Sequence, residues 1–252
     1  MSGHSKWKTI QHKKGAADAK RGKIFSRYSK ELMLIAKQGG GNPGNNAALR
    51  NAIVKAREAN MPMDNIERAI KKGTGEIEGA VLVEVDYEGF AAGGVGVIVN
   101  VLTDNKNRAA AEIRHIFSRH NTDFAAQGAV SRGFKRRGQL FVAVAGIDEE
   151  KLMTAALDAG ADDMQNDGEE FEILTDPSKF LQVCDALDKA GFKKSNAEVR
   201  MVPETYVPVK DKIVAKAVMR FVEELEDNDD VQNVYSNMDV DETVLAEIEK
   251  EV

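Results

Sequence analysis

The chain has 252 residues and a formal net charge of −6, with 42% hydrophobic and 30% charged residues. That length carries one large domain or roughly two to three small ones, each able to bury a core. A single cysteine, Cys184, excludes an internal disulfide framework; no apolar run is long enough for a bilayer, the polar N-terminus is no secretory signal, and a cytoplasmic protein is expected.

The charge is unevenly placed. Residues 1–75 hold 16 Lys and Arg against 5 Asp and Glu, leaving 19 basic and 36 acidic residues for the remainder. A basic third on an acidic body predicts one-sided contact with a polyanion, because the body repels phosphate. The plainer reading of the same charges is a solvated surface on a helical bundle.

Residues 1–20 lack apolar periodicity and read as an arm. A helix is predicted from Ala19, with Ile24, Phe25, Tyr28, Leu32 and Ile35 on one face. Its end falls in the loop Gly39 to Asn46. A second helix carries the stripe Leu49, Ala52, Ile53 and Ala56. After Pro62, Asp64 and Glu67 read as a capping box for a short third helix through Ile66, Ala69 and Ile70, closed by Gly73 and Gly75. From Val81 the pattern alternates: Val81–Tyr87 and Val95–Val101 are predicted strands, paired antiparallel across a loop from Glu88 to Gly94. Asp104 or Asn105 caps the next helix, with Ile113, Ile116 and Phe117 inward. Arg132–Gly138 reads as a basic linker.

Residues 139–202 then give strand, helix, strand, strand, helix, strand: Leu140–Val144, Asp148–Ala159, Asp162–Asn166, Glu170–Leu174, a helix begun by Pro177 and ended near Ala190, and Ala197–Val202. That order is ferredoxin-like. Beyond Pro203 come a strand at Tyr206–Val209, a helix at Lys212–Leu225, a strand at Val231–Ser236 and an acidic helix from Asp241. Two strands and a helix on each side of the ferredoxin-like segment are each too little for a stable sheet, so the two pieces are expected to pair. The expected class is α+β with three domains. An N-terminal arm and helical bundle take 1–78, a discontinuous α+β domain takes 79–136 plus 204–252, and a ferredoxin-like domain is inserted at 137–203.

Six ordered segments carry a resemblance: Gly3–Trp7, Ala19–Phe25, Tyr87–Gly89, Leu102–Arg108, Ala159–Asp163 and Asp229–Tyr235. Together the chain resembles the YebC/PmpR family of bacterial regulatory proteins, which also includes a mitochondrial translational activator. The resemblance implies the same three-domain fold, DNA binding and transcriptional regulation. A second description implied by the family is relief of ribosome stalling. No catalytic residue or cofactor comes with it. Ala91-Ala-Gly-Gly94, Ala109 and Gly128-Ala-Val130 depart from the family's usual residues.

The arm and first helix are the foremost candidate site. Lys6, Lys8, Lys13, Lys14, Lys20, Arg21, Lys23, Arg27 and Lys30 can neutralise phosphates and release counterions. Trp7 can stack on a base, and His12 can stack or donate to phosphate; the alternative for Trp7 is a packing anchor that tethers the arm. An accessory phosphate patch joins Asn105, Lys106, Asn107, Arg108 and Arg114, at a helix start, with Arg132, Lys135, Arg136 and Arg137. Its plainer reading is a solvated helix start beside a charged linker. No metal site is expected, since His4, His12, His115 and His120 lack ligand spacing, and Cys184 sits on an apolar helix face. The carboxylates of Glu223–Asp230 lack an EF-hand pattern and read as a solvated acidic face. The expected protein is no enzyme. It is a nucleic-acid-binding regulator of gene expression, foremost a DNA-binding transcriptional regulator. The alternatives are a ribosome-associated factor contacting ribosomal or transfer RNA and a protein-binding adaptor. No membrane, cofactor or small-molecule substrate is expected.

Overall fold

The computed structural model describes residues 18–250, so most of the expected arm lies outside the described residues. By its packing the chain forms two units. The first runs to Val130 and takes up Ile213–Val234; the second holds Ser131–Lys212 and the chain from Tyr235. The class is α+β, as expected.

The first unit begins with three helices: α1 (Asp18–Gly39), α2 (Ala47–Glu58) and α3 (Met63–Thr74). Asn46 organises the α1–α2 corner. Its Oδ1 accepts from the Leu49 amide at 3.0 Å, capping α2. Its Nδ2 donates to the Gly40 carbonyl at 2.9 Å, satisfying a group left over at the end of α1. Leu32, Leu49 and Ile66 are fully buried between the helices, each stabilising by roughly 1.5–3 kcal/mol. Ala36, Ala52, Ala56 and Ala69 complete that core and, being small, let the helices approach closely.

Two local expectations are corrected here. The Asp64–Glu67 capping box does not form: the cap position falls two residues earlier, at Pro62, with no side-chain cap. Asp64 instead lies in the first turn, where its charge meets the positive end of the helix. Gly73 is not a stop either. It lies within α3, and a Cβ there would stand 2.4 Å from the Met33 carbonyl oxygen of α1. Gly75, with φ +79°, is the terminator.

β1 (Val83–Phe90) and β2 (Gly96–Thr103) pair antiparallel from Val83↔Thr103 to Phe90↔Gly96. β1 therefore continues past Tyr87, and Glu88, Gly89 and Phe90 belong to the strand rather than the loop. α4 (Lys106–Arg119) follows, and β3 (Asp123–Ala125) returns beside β1. In the second unit β4 (Phe134–Ala143), α5 (Glu149–Asp158), β5 (Ala161–Asn166), β6 (Glu170–Thr175), α6 (Phe180–Lys189) and β7 (Lys194–Pro203) form the ferredoxin-like run. Its sheet order is β5-β6-β4-β7, with antiparallel neighbours. Leu140, Phe171 and Ile173 of the sheet pack with Leu152 of α5 and with Val183, Cys184 and Leu187 of α6.

The basic run expected as a linker is mostly strand: Lys135, Arg136 and Arg137 lie in β4, after a short 3-10 turn at Ser131–Gly133. Ladder pairing from Phe134↔Pro203 onward holds them extended. The second helix of this run does not begin at Pro177. The Asp176 carboxylate accepts from the Ser178 amide at 2.9 Å, closing a side-chain turn, and α6 starts only at Phe180.

The last elements are β8 (Val207–Val209), α7 (Lys212–Glu226), β9 (Val231–Ser236), β10 (Met238–Val240) and α8 (Glu242–Glu249). β9 takes the edge beside β2, giving the sheet order β3-β1-β2-β9. α7 packs in the first unit, where the rings of Phe221 and Phe117 of α4 meet edge to face at 4.8 Å. β8 does not join that sheet. It pairs in parallel with β10, Val207↔Met238 to Val209↔Val240. Among the described residues no helix is long and apolar enough to cross a membrane.

Candidate nucleic-acid interface

Lys6, Trp7, Lys8, His12, Lys13 and Lys14 lie outside the described residues. Lys20 and Arg21 fall in the first turns of α1. The rest of the α1 set is well placed. Lys23, Arg27 and Lys30 stand at i, i+4 and i+7, so helical geometry puts them in one stripe. All three reach the chain that follows α7, in the turn and at the start of β9. Lys23 Nζ donates to the Asp227 carbonyl at 2.6 Å, and Arg27 donates to the Gln232 carbonyl. Lys30 Nζ donates to the Asp229 carbonyl at 2.9 Å and to Asp230 Oδ1 at 2.6 Å.

Asp230 is the centre of this arrangement. Its carboxylate is buried, with 7% of the side chain exposed. Besides Lys30, it accepts from Arg108 Nη2 at 2.7 Å and from the buried Thr103 hydroxyl at 2.9 Å. Burial pushes its pKa up. The hydrogen bonds from Arg108, Lys30 and Thr103 outweigh that and hold it below the usual carboxylate range. The same contact raises the Arg108 guanidinium, first through the hydrogen bond to Asp230 and then through its charge. The backbone joins in: the Leu102 amide donates to the Asp230 carbonyl at 2.8 Å. The reading of Glu223–Asp230 as a solvated acidic face is corrected at Asp230. Its lone pairs are filled by three donors, two of them cationic.

The first half of the accessory patch sits at the start of α4. Asn105 is the cap, its Oδ1 accepting from the Arg108 amide at 3.1 Å. Lys106 and Asn107 are exposed in the first turn. Arg108 also pairs with Asp104 at 3.0 Å, and Arg114 lies 5.0 Å over the Phe124 ring. The second half belongs to the other unit. Arg132 and Arg136 are exposed, Lys135 pairs with Glu204, and Arg137 pairs with Asp162 at 2.8 Å.

Sequence reasoning missed two positions. Asp230 had a signal, because it lies in the Asp229–Tyr235 segment that helped carry the resemblance. Glu88 had none: it is 3% exposed, and its two carboxylate oxygens accept from the Gly128 and Val130 amides at 2.8 and 2.7 Å. Cys184 is buried in the ferredoxin-like core. Among the described residues no group of three or more His, Cys, Asp or Glu is placed to hold a metal ion.

These features define a class: an α+β protein whose basic first helix is tied, by cations of a single stripe, to an acidic turn of the same unit. The chain belongs to the TACO1/YebC family. Residues 5–76 match the TACO1/YebC N-terminal domain, and residues 82–238 match the family's second and third domains. It is 51% identical over 242 residues to a probable transcriptional regulatory protein of Geotalea uraniireducens, covering 96% of this chain and 97% of that one. A probable transcriptional regulatory protein of Geobacter sulfurreducens is 52% identical over 240 residues, covering 95% and 96%. Among solved structures, a conserved hypothetical protein from Aquifex aeolicus superposes with a TM-score of 0.80 at 42% identity, over 89% of this chain and 93% of that one.

Proposed function

We propose that this protein is a non-catalytic, cytoplasmic, nucleic-acid-binding regulator of gene expression, acting on DNA as a transcriptional regulator. The observation that carries the reading is the segregation of charge: 16 basic against 5 acidic residues over positions 1–75, on an otherwise acidic chain. Such a surface gains affinity by releasing counterions from phosphate, and its acidic remainder limits contact to one side. Lys6, Trp7, Lys8, His12, Lys13 and Lys14 make the primary contact in this reading, with α1 as its continuation. The names of the relatives favour transcription as the process. In this reading the basic stripe meets the phosphate backbone, so its contacts position the protein rather than select a sequence.

The test is a crosslinking and sedimentation survey of the native protein. Enrichment on promoter DNA is expected. Co-sedimentation with ribosomes and crosslinks to ribosomal or transfer RNA would replace the DNA reading with a translational one. Recovery of protein partners alone, unchanged by removal of residues 1–20, would overturn both.

A further inference from the structure

The segment that receives α1, the turn after α7 and the first two residues of β9, offers Lys23, Arg27 and Lys30 a row of oxygens. Within the six residues from Asp227 to Gln232 stand the carbonyls of Asp227, Asp229 and Gln232 and the carboxylate of Asp230, all accepting from that one stripe. The turn follows the C-terminus of the 15-residue helix α7, where the aligned peptide dipoles add negative potential. The carboxylates of Asp227 and Asp229 are exposed beside it. Oxygens spaced along a cationic helix face, under a negative field, are what a phosphate backbone would present to the same side chains.

We propose that the 227–232 segment is an internal competitor for nucleic acid. It occupies the basic stripe of α1, and a polyanion binding through that stripe displaces it. The inference rests on the reading of α1 as a nucleic-acid surface. Opening frees the segment from α1 and loosens it without stranding a buried charge. Asp230 keeps Arg108 and Thr103 when Lys30 leaves, so its charge stays paired. The pairing is graded along the helix: the Lys23 side chain is 43% exposed and that of Lys30 is 18% exposed. Exchange therefore starts at Lys23, where solvent already screens the pair, and proceeds toward Lys30.

The test compares binding of the full chain to a short fluorescein-labelled DNA duplex at low salt. The double variant Asp227→Asn with Asp229→Asn removes two exposed charges from the turn and spares Asp230. Glu58→Gln with Asp64→Asn makes the same change of net charge at two exposed positions away from it. The turn variant should bind about threefold more tightly than this control. In hydrogen exchange on the wild type, the duplex should speed exchange of the amides from 227 to 232. Equal affinities for the two variants, or slower exchange over 227–232 on binding, would overturn the competition while leaving nucleic-acid binding intact. A wild-type chain that binds neither DNA nor an RNA duplex would overturn the functional reading and this inference with it.

Discussion

Replacing Asp230 should destabilise the first unit more than replacing any exposed carboxylate of the chain. The magnitude follows from its three donors. The Thr103 hydroxyl is fully buried, and losing its charged acceptor costs roughly 1–3 kcal/mol. The Lys30 hydrogen bond, with the ammonium mostly covered, contributes about 1.5–3 kcal/mol as a charge-assisted bond. Arg108 has 47% of its side chain exposed, so solvent screening leaves it the smallest share. Asp230→Asn keeps one acceptor oxygen and loses the charge, for an expected cost of about 2 kcal/mol. Asp230→Ala loses everything and should cost about 3–5 kcal/mol. For a chain of this length, about 2 kcal/mol lowers the melting temperature by roughly 4–8 °C.

The pH dependence of that gap is a sharper check. The folded-state pKa of Asp230 is depressed, so its contribution is fully present above the ordinary aspartate value near 3.9. It is lost as pH falls through the lower folded value. Thermal melts of wild type and Asp230→Asn, followed by circular dichroism, should differ by a constant amount at neutral pH and converge in acid. Equal melting temperatures at neutral pH would refute the hub, and so would a gap that persists unchanged far below that range.

Other expectations concern the frame that holds this site. Gly89→Ala would place a Cβ 2.1 Å from Phe117 Cε1 and 2.4 Å from the Asp123 carbonyl oxygen; it should cost about 3 kcal/mol or more in urea unfolding. Gly73→Ala should separate α3 from α1 at Met33, destabilising by about 1–3 kcal/mol and exposing the helical core to early proteolysis. Glu88→Ala leaves the half-buried Gly128 amide and the buried Val130 amide without their acceptor, costing about 2–4 kcal/mol and speeding their hydrogen exchange.

What could be read from the sequence was whatever periodicity alone encodes. The stripe Leu49, Ala52, Ile53 and Ala56 is buried as spaced, Val231–Ser236 is a strand from end to end, and the ferredoxin-like order follows from alternation punctuated by Gly. Failures arose where a distant partner overrides local pattern. Lys135, Arg136 and Arg137 look like linker because no apolar residue alternates with them, yet pairing with β7 makes them strand. Glu88 looks like a turn residue because its two amide donors lie about forty positions away. The site was legible as charge and not as geometry. Lys23, Arg27 and Lys30 were identifiable as cations on one helix, but Asp230 is 200 positions from Lys30. An acidic run after a helix is ordinarily solvated.

In the proposed function the basic N-terminal segment binds nucleic acid through phosphate. The most direct measurement is the salt dependence of DNA and RNA duplex binding by the wild type and by Lys13→Glu with Lys14→Glu. The variant should bind more weakly, with a slope of log affinity against log salt shallower by about 2, one for each phosphate that is no longer neutralised. An unchanged affinity and slope would contradict it.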